Sequence, residues 1–307
     1  MQQLRLTLGP VLYYWPRAEL LDFYQQVATW PVDVVYLGET VCARRREMKL
    51  DDWLAIAQDL AQAGKQVVLA TQTLLESAAD QRQLVRLIEA AQAHAAVSLV
   101  EASDMSAVEI CTQLEQPFVA GPALNLYNPQ SLALLARCGL KRWVFPLELS
   151  RTCLAEMQAW IQQHHPELET EVWGYGRAPL AWSARCFSAR AQNLPKDRCQ
   201  FVCQQHPQGL PLSSQEGAAL FTLNGIQTLS AQPLSLLDQG ASLAQLQVTH
   251  LRLSPEHTDM SQLLERAAAL KDPQQPPADP LKLVDLHSCN GYWYGLPGMT
   301  YQPPAPK

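Results

Sequence analysis

No stretch of this 307-residue chain stays apolar for long enough to span a bilayer. Its opening residues, Met1 to Pro10, lack a charged region followed by a long apolar one, so nothing there resembles a signal peptide. An excess of positive charge is missing too. Lysine and arginine number 23 against 29 aspartates and glutamates, a net charge of −6 with a pI of about 5.6. That balance argues against nucleic acid or an anionic membrane as the main partner. No G-x-G-x-x-G follows the first apolar run, which disfavours a dinucleotide site. H-E-x-x-H and G-x-S-x-G are absent, and no cysteine stands beside an evident base, so no hydrolytic apparatus can be read. There is no internal repeat. The compartment these absences lead us to expect is the cytoplasm, where thiols stay reduced and open to metals.

What the chain does have is a regular alternation of short apolar runs and amphipathic segments. Leu4–Tyr14 and Val32–Leu37 read as strands, as do 66–70, 96–101, 117–120, 142–147 and 169–173. Helical periodicity fills 17–29, 50–63, 81–94, 105–114, 129–138 and 154–164; in the first, Leu20, Leu21, Tyr24 and Val27 share a face. Hydrophobic strands each followed by a helix imply a parallel sheet covered on its outer face. Seven strands precede residue 175, and an eighth fits either 221–229 or 248–253. That count favours a closed (β/α)₈ barrel, a TIM-barrel-like single domain over residues 1–271. Between 175 and 215 Gly, Pro, Ser, Arg and Cys replace the periodicity, and we expect an irregular loop with a task. From Asp272 the chain turns Pro- and Gln-rich, then aromatic at Gly291 to Gly295. Residues 272–307 therefore read as a linker and a C-terminal segment packed back on the barrel.

Eight cysteines in such a chain point to metal or to core filling rather than to disulfides. Three gather at Cys186, Cys199 and Cys203, with Arg185, Arg190 and Arg198 among them. Cys199 and Cys203 are one helical turn apart, so both can face one centre. Cys111, Cys138 and Cys153 lie in apolar helical stretches and read as buried small hydrophobes. Cys289 stays ambiguous. Cys42 follows the second strand directly, in the loop that a barrel places at its C-terminal mouth beside the 175–215 loop. It is the best fourth ligand. Soft thiolates suit zinc and iron alike, and a cubane needs four. Zinc held by the three later cysteines and His206 is an equal alternative on spacing alone. Arg44, Arg45 and Arg46 could offset thiolate charge or form a solvated turn; Arg185 and Arg198 adjoin ligands directly. Glu39 reads either as a hydrogen-bond partner near the centre or as a helix cap, and His164 and His165 as residues at a helix C-terminus.

The run Tyr175-Gly176-Arg177-Ala178-Pro179-Leu180-Ala181-Trp182-Ser183-Ala184-Arg185-Cys186 resembles the signature of the collagenase-like peptidase family. The family reads His-Gly-Ala-Leu-Cys-Val-Ala-Tyr-Ser-Gly-Arg-Cys there. Cys186 keeps the second cysteine, Pro179 replaces the first, and Tyr175 replaces the histidine. The runs 36–42 and 290–299 extend the likeness over most of the chain, toward members that act in ubiquinone biosynthesis without oxygen. For such members the resemblance implies a [4Fe–4S] cluster on Cys42, Cys186, Cys199 and Cys203, and it moves the reading from zinc to iron–sulfur. The loss at Pro179 accords with a ligand recruited from elsewhere. It further implies a UbiU-like sister protein as heterodimer partner, and a lipid-binding accessory protein of the same pathway. The implied role is as a subunit of an O₂-independent hydroxylase complex, with prephenate as oxygen donor and the chain as electron relay or structural partner. A non-catalytic scaffold and a zinc-dependent or collagenase-like peptidase are the other classes, and missing nucleophile or metal-hydrolase motifs make peptidase activity improbable.

Overall fold

The computed structural model describes residues 3–271 and 288–303. Seven strands run in parallel order from the N-terminus: β1 (Arg5–Leu8), β2 (Val34–Leu37), β3 (Gln66–Ala70), β4 (Val97–Ala102), β5 (Phe118–Ala120), β6 (Leu140–Val144) and β7 (Glu169–Trp182). Between them stand α1 (Arg17–Val27), α2 (Leu50–Gln62), α3 (Ala78–Ala93), α4 (Met105–Gln113), α5 (Pro129–Ala136) and α6 (Arg151–His164). The chain then makes α7 (Phe187–Ala191), the antiparallel strands β8 (Leu210–Ser213), β9 (Ala219–Asn224) and β10 (Gln227–Ser235), and α8 (Gly240–Gln245). The last strand, β11 (His250–Leu253), pairs with β7 on one side and β1 on the other and closes an eight-stranded barrel; α9 (Met260–Ala268) follows. This is the (β/α)₈ fold that the alternation implies, in one domain.

Strand alternation sorts the core into two shells. Val34, Tyr36, Val68, Leu99, Val119 and Val144 form an inner cluster. Their neighbours in sequence, such as Val35, Leu37, Val67, Leu69 and Val100, join the larger core beneath the helices. Ser77, Asp104, Asn128, Ser150 and Asp259 each cap a helix by accepting from a backbone N–H in its first turn.

Several expected elements differ in extent. The sixth strand runs Leu140–Val144 rather than 142–147. The first strand ends at Leu8 rather than Tyr14: Gly9 N–H still donates to Leu253 O at 2.8 Å, but Pro10 has no N–H to continue the ladder, although Val11 to Trp15 stay buried. The seventh strand does not stop at Trp173. It continues to Trp182 and pairs antiparallel with β10, which pairs with β9 and then β8. The two ends of the stretch expected as loop, 175–182 and 210–213, therefore join an antiparallel sheet arm, while the cysteine-bearing part between them stays irregular apart from short helical turns. The eighth barrel strand lies in 248–253, and the rival stretch 221–229 belongs to the arm.

Residues 288–303 return to the barrel. Cys289 bridges to Leu234, with Cys289 N–H donating to Pro233 O at 2.9 Å. Trp293 is buried beside Phe145, Val172, Trp173 and Leu236. The Pro- and Gln-rich stretch 272–287 lies outside the described residues.

Candidate metal centre

The site is built from the loop after β2 outward. Gly38 has φ +138°, and a Cβ there would stand 2.5 Å from Ala70 O, so glycine alone lets the chain leave β2 this closely. The Glu39 carboxylate then accepts from the N–H groups of Val41 (2.9 Å) and Cys42 (3.1 Å), folding the loop back on itself. It organises Cys42 rather than capping α2, where the Asp52 carboxylate accepts from the Lys49 backbone N–H at 2.9 Å. Burial pushes the Glu39 carboxyl up, while Arg45 and the two amides oppose that shift.

The three arginines that look alike in sequence occupy three environments. Arg46 is exposed. Arg44 is half-buried and donates to Asp197 O at 2.8 Å, tying this loop to the cysteine segment. Arg45 is buried and turns inward. It donates to Leu12 O at 2.9 Å and to Asn224 Oδ1 at 2.7 Å, and it lies over the Tyr14 ring with its Cζ 5.3 Å from the centroid. Its guanidinium also faces the Cys203 thiol. The triplet is thus not a uniformly solvated turn.

Cys186 opens α7, where its sulfur accepts from Ala189 N–H at 3.5 Å. The same short helix is clamped on the β9–β10 turn: Phe187 N–H donates to Gly225 O at 2.7 Å and Gly225 N–H to Ser188 Oγ at 2.9 Å. Cys199 is buried at the end of the turn Lys196–Arg198, its carbonyl accepting from Val202 N–H at 3.2 Å. Gln200 and Phe201 both adopt left-handed backbone, φ 50° and 54°, which turns the chain sharply between Cys199 and Cys203. Gln204 Nε2 donates to Glu47 Oε1 at 2.9 Å, a second tie between the two loops.

Cys186 consequently lies near Cys42 and Cys203, and Arg45 faces those last two, although the three cysteines come from separate segments. Burial pushes the thiols of Cys42 and Cys203 up, with Arg45 pulling both the other way. The segment from Cys199 to Cys203 is not the helical turn expected, since Gln200 and Phe201 between them are both left-handed. Among the described residues no three His, Cys, Asp or Glu side chains are set to hold a single metal ion. Two buried donors lack acceptors at this place, Nε of Arg44 and Nε of Arg45. The soft donor set and the spare N–H groups beside it fit an anionic sulfur-rich group.

The other cysteines are elsewhere. Cys111 is buried in the helical layer with its thiol pushed up to about 12 by burial, and that of Cys289 is pushed up to about 11. Cys138 packs at the edge of the core, and Cys153 is half-buried, its sulfur accepting from Ser150 Oγ at 3.5 Å. His164 ends α6 stacked on Trp160, with Nδ1 2.9 Å from Trp160 O.

Sequence reasoning missed a charged network inside the barrel. Glu171 accepts from Arg252 Nε (2.6 Å), Thr7 Oγ1 (2.7 Å) and Tyr36 OH (2.5 Å), with Arg142 Nη1 at 3.5 Å. Arg252 also pairs with Glu101, and Arg142 Nε donates to Glu169 at 2.8 Å. The available signal was a charge at an inward position of an otherwise apolar strand: Glu101 in β4, Arg142 in β6, Glu171 in β7, Arg252 in β11. A second cluster, Tyr13, Arg177 and Glu256, pins the base of the arm. Tyr13 OH and Arg177 Nη1 both donate to Glu256 Oε2 at 2.8 Å. A cleft of about 750 Å³ opens at the opposite end of the barrel, lined by Gln158, Glu169, Thr170 and Thr249, away from the thiols.

A family model, peptidase family U32, matches residues 22–272. Solved structures with a similar chain path are barrels of other kinds. A tryptophan synthase chain from M. tuberculosis is 13% identical over 88% of this chain and 90% of that one, with a TM-score of 0.44. A 7,8-dihydropteroate synthase from Vibrio fischeri is 10% identical over 88% and 97%, with a TM-score of 0.43. The 3-hexulose-6-phosphate synthase from Salmonella typhimurium is 10% identical over 87% and 98%, also at 0.43. Likeness this distant says nothing of chemistry, and the barrel assignment stands on the strand pairing. No helix among the described residues is long and apolar enough to cross a membrane.

Proposed function

The chain belongs to peptidase family U32, and from that footing we propose that it is a UbiV-type member, an iron–sulfur protein of anaerobic ubiquinone biosynthesis. In this reading Cys42, Cys186, Cys199 and Cys203 hold a [4Fe–4S] cluster. The chain pairs with a UbiU-like sister protein to support hydroxylation of ubiquinone precursors without O₂, and a lipid-binding accessory protein presents the substrate. The observation that carries the proposal is the closeness of Cys42, Cys186 and Cys203 to one another, with buried Arg45 beside Cys42 and Cys203 and two guanidinium N–H groups that lack acceptors.

The cluster, when bound, supplies one-electron transfer. Four protein ligands leave no iron open to substrate, so the chain acts as electron relay or structural partner, with the ring chemistry placed elsewhere in the complex. The protein's own part is to hold the thiolates, to shed their protons on loading and to shield the centre. Because burial raises the Cys42 and Cys203 thiols, loading releases protons and strengthens as pH rises.

Anaerobic co-purification with the sister protein, followed by iron and acid-labile sulfide analysis, tests this. Iron and sulfide near four each per chain are expected in the wild type, with both lost in Cys42→Ala. Colourless protein carrying zinc and no sulfide would sink the proposal. A Cys42→Ala protein that still binds its partner while the pathway stops favours relay over scaffold.

A further inference from the structure

We propose that Arg45 is the positioning residue that sets the charge of the thiol centre, and with it the reduction potential. This rests on the cluster reading of the preceding section. Arg45 is not a ligand; it acts on the ligands from a socket built for it.

Four segments make that socket. Leu12 O and Asn224 Oδ1 each accept from a different terminal nitrogen of the guanidinium. The Asn224 amide is itself oriented, since its Nδ2 donates to Leu12 O at 2.7 Å, leaving Oδ1 to turn toward Arg45. Tyr14 lies beneath the cation. Gly225 completes the wall: a Cβ there would stand 3.1 Å from Arg45 Nη2. A buried guanidinium needs anionic partners. Glu39 offers one at 3.6 Å, at the edge of an ion pair, and that carboxylate is already engaged by two amides. Cys203 and Cys42 face the guanidinium as well, and they carry negative charge only when a bound metal group holds them as thiolates. Its Nε–H has no acceptor, and neither has that of Arg44.

A fixed cation with a spare N–H beside sulfur ligands favours whichever state of the centre carries more negative charge. Hydrogen bonds to sulfur and net charge are among the principal determinants of cluster potential. One-electron reduction adds one negative charge, so Arg45 raises the potential. The simpler role, a key that only fastens the β9–β10 turn to the β2 loop, makes a different prediction. It affects stability and leaves the potential alone.

The test uses the full chain, loaded anaerobically with ferrous iron and sulfide, as wild type, Arg45→Gln and Arg45→Lys. Iron and sulfide per chain, a dithionite titration followed by electron paramagnetic resonance, and urea melts are read on each. Arg45→Gln is expected to load but to hold its reduced form at least tenfold less at the wild-type midpoint, 59 mV lower for one electron. Arg45→Lys keeps the charge and recovers part of that shift. Lower stability with an unmoved midpoint overturns the inference and leaves the key. If Arg45→Gln fails to load, Asn224→Ser, which loosens the socket and retains the guanidinium, must shift the midpoint in the same direction. No shift there overturns it too. A wild-type chain that takes up no iron and sulfide overturns the cluster reading, and this role with it; a loaded wild type whose variants match its midpoint overturns this role alone.

Discussion

Replacing Glu171 by glutamine removes the charge at the centre of the barrel and tests whether that interior is dry and fully paired. The carboxylate is buried and takes four donors, two of them guanidinium nitrogens. Burial alone would raise its pKa, but Arg252 and Arg142 outweigh burial and hold it at about 2. Glutamine has nearly the same shape, keeps one acceptor and points an NH₂ at a cation. Arg252 would be left to Glu101 and Arg142 to Glu169. Two routes give the cost. Breaking a buried pair from one side costs about 3–5 kcal/mol. A carboxyl held about 2.5 units below its ordinary 4.5 gains roughly 3 kcal/mol from its ionised form. Both point to about 3 kcal/mol, or roughly 6–12 °C in melting temperature. Urea melts at pH 7 followed by far-UV circular dichroism measure it. The sign with pH is fixed: a depressed folded pKa stabilises above 4.5, and that stability is lost as pH falls toward 2. The gap between wild type and variant therefore narrows over that window. A loss under about 1 kcal/mol at pH 7, or a gap that stays constant as pH falls from 4.5, would refute the dry, paired interior.

Three further outcomes follow from the same geometry. His250 is buried in the barrel wall and kept neutral, its pKa lowered to about 3 by burial and then by Arg142, so folding stability falls as pH drops from 6.5 toward 3. His250→Asn should flatten the dependence of the urea midpoint between pH 6.5 and 4. Gly225→Ala puts a side chain at φ +64° and presses Arg45, so a stability loss of about 1–2 kcal/mol is expected together with lower iron retention after gel filtration. Cys111→Ala removes a thiol buried in α4 and should lower the unfolding free energy in urea melts by roughly 1 kcal/mol while iron and sulfide stay at the wild-type value.

The barrel was legible because each barrel unit states its own period. Leu20, Tyr24 and Val27 face the core as their spacing requires, and Gln66–Ala70 is a strand from end to end. Legibility failed where hydrophobicity does not determine the pairing partner. Phe221–Leu229 and Val248–Leu253 are equally apolar, yet one joins an antiparallel arm and the other closes the barrel. A signal for the arm was present in Gly225, which opens a two-residue turn between Asn224 and Gln227 and marks a hairpin. The first strand was read too long because Val11 to Trp15 are as buried as a strand, while Pro10 denies the ladder a donor.

At the mouth, residue type announced the thiols, and the barrel's geometry justified seeking Cys42 beside the later three. The environment of Arg45 could not be read, since Arg44, Arg45 and Arg46 differ only in what reaches them. Leu12 and Asn224, respectively 33 and 179 positions from Arg45, decide which of the three is buried. The interior charges escaped notice for a related reason: each looks like a lone polar residue until the barrel closes and pairs it. Once closed, that interior explains why chemistry belongs to the rim. Glu101, Glu171 and Arg252 satisfy one another, and Gly9 and Gly121 let the loops lie directly on Arg252 and Glu101, at 3.4 and 3.0 Å for a hypothetical Cβ. A barrel whose charges are spent on each other serves as a rigid frame. On the loops it holds in place, the Nε–H groups of Arg44 and Arg45 are left without acceptors and the cysteines are free thiols.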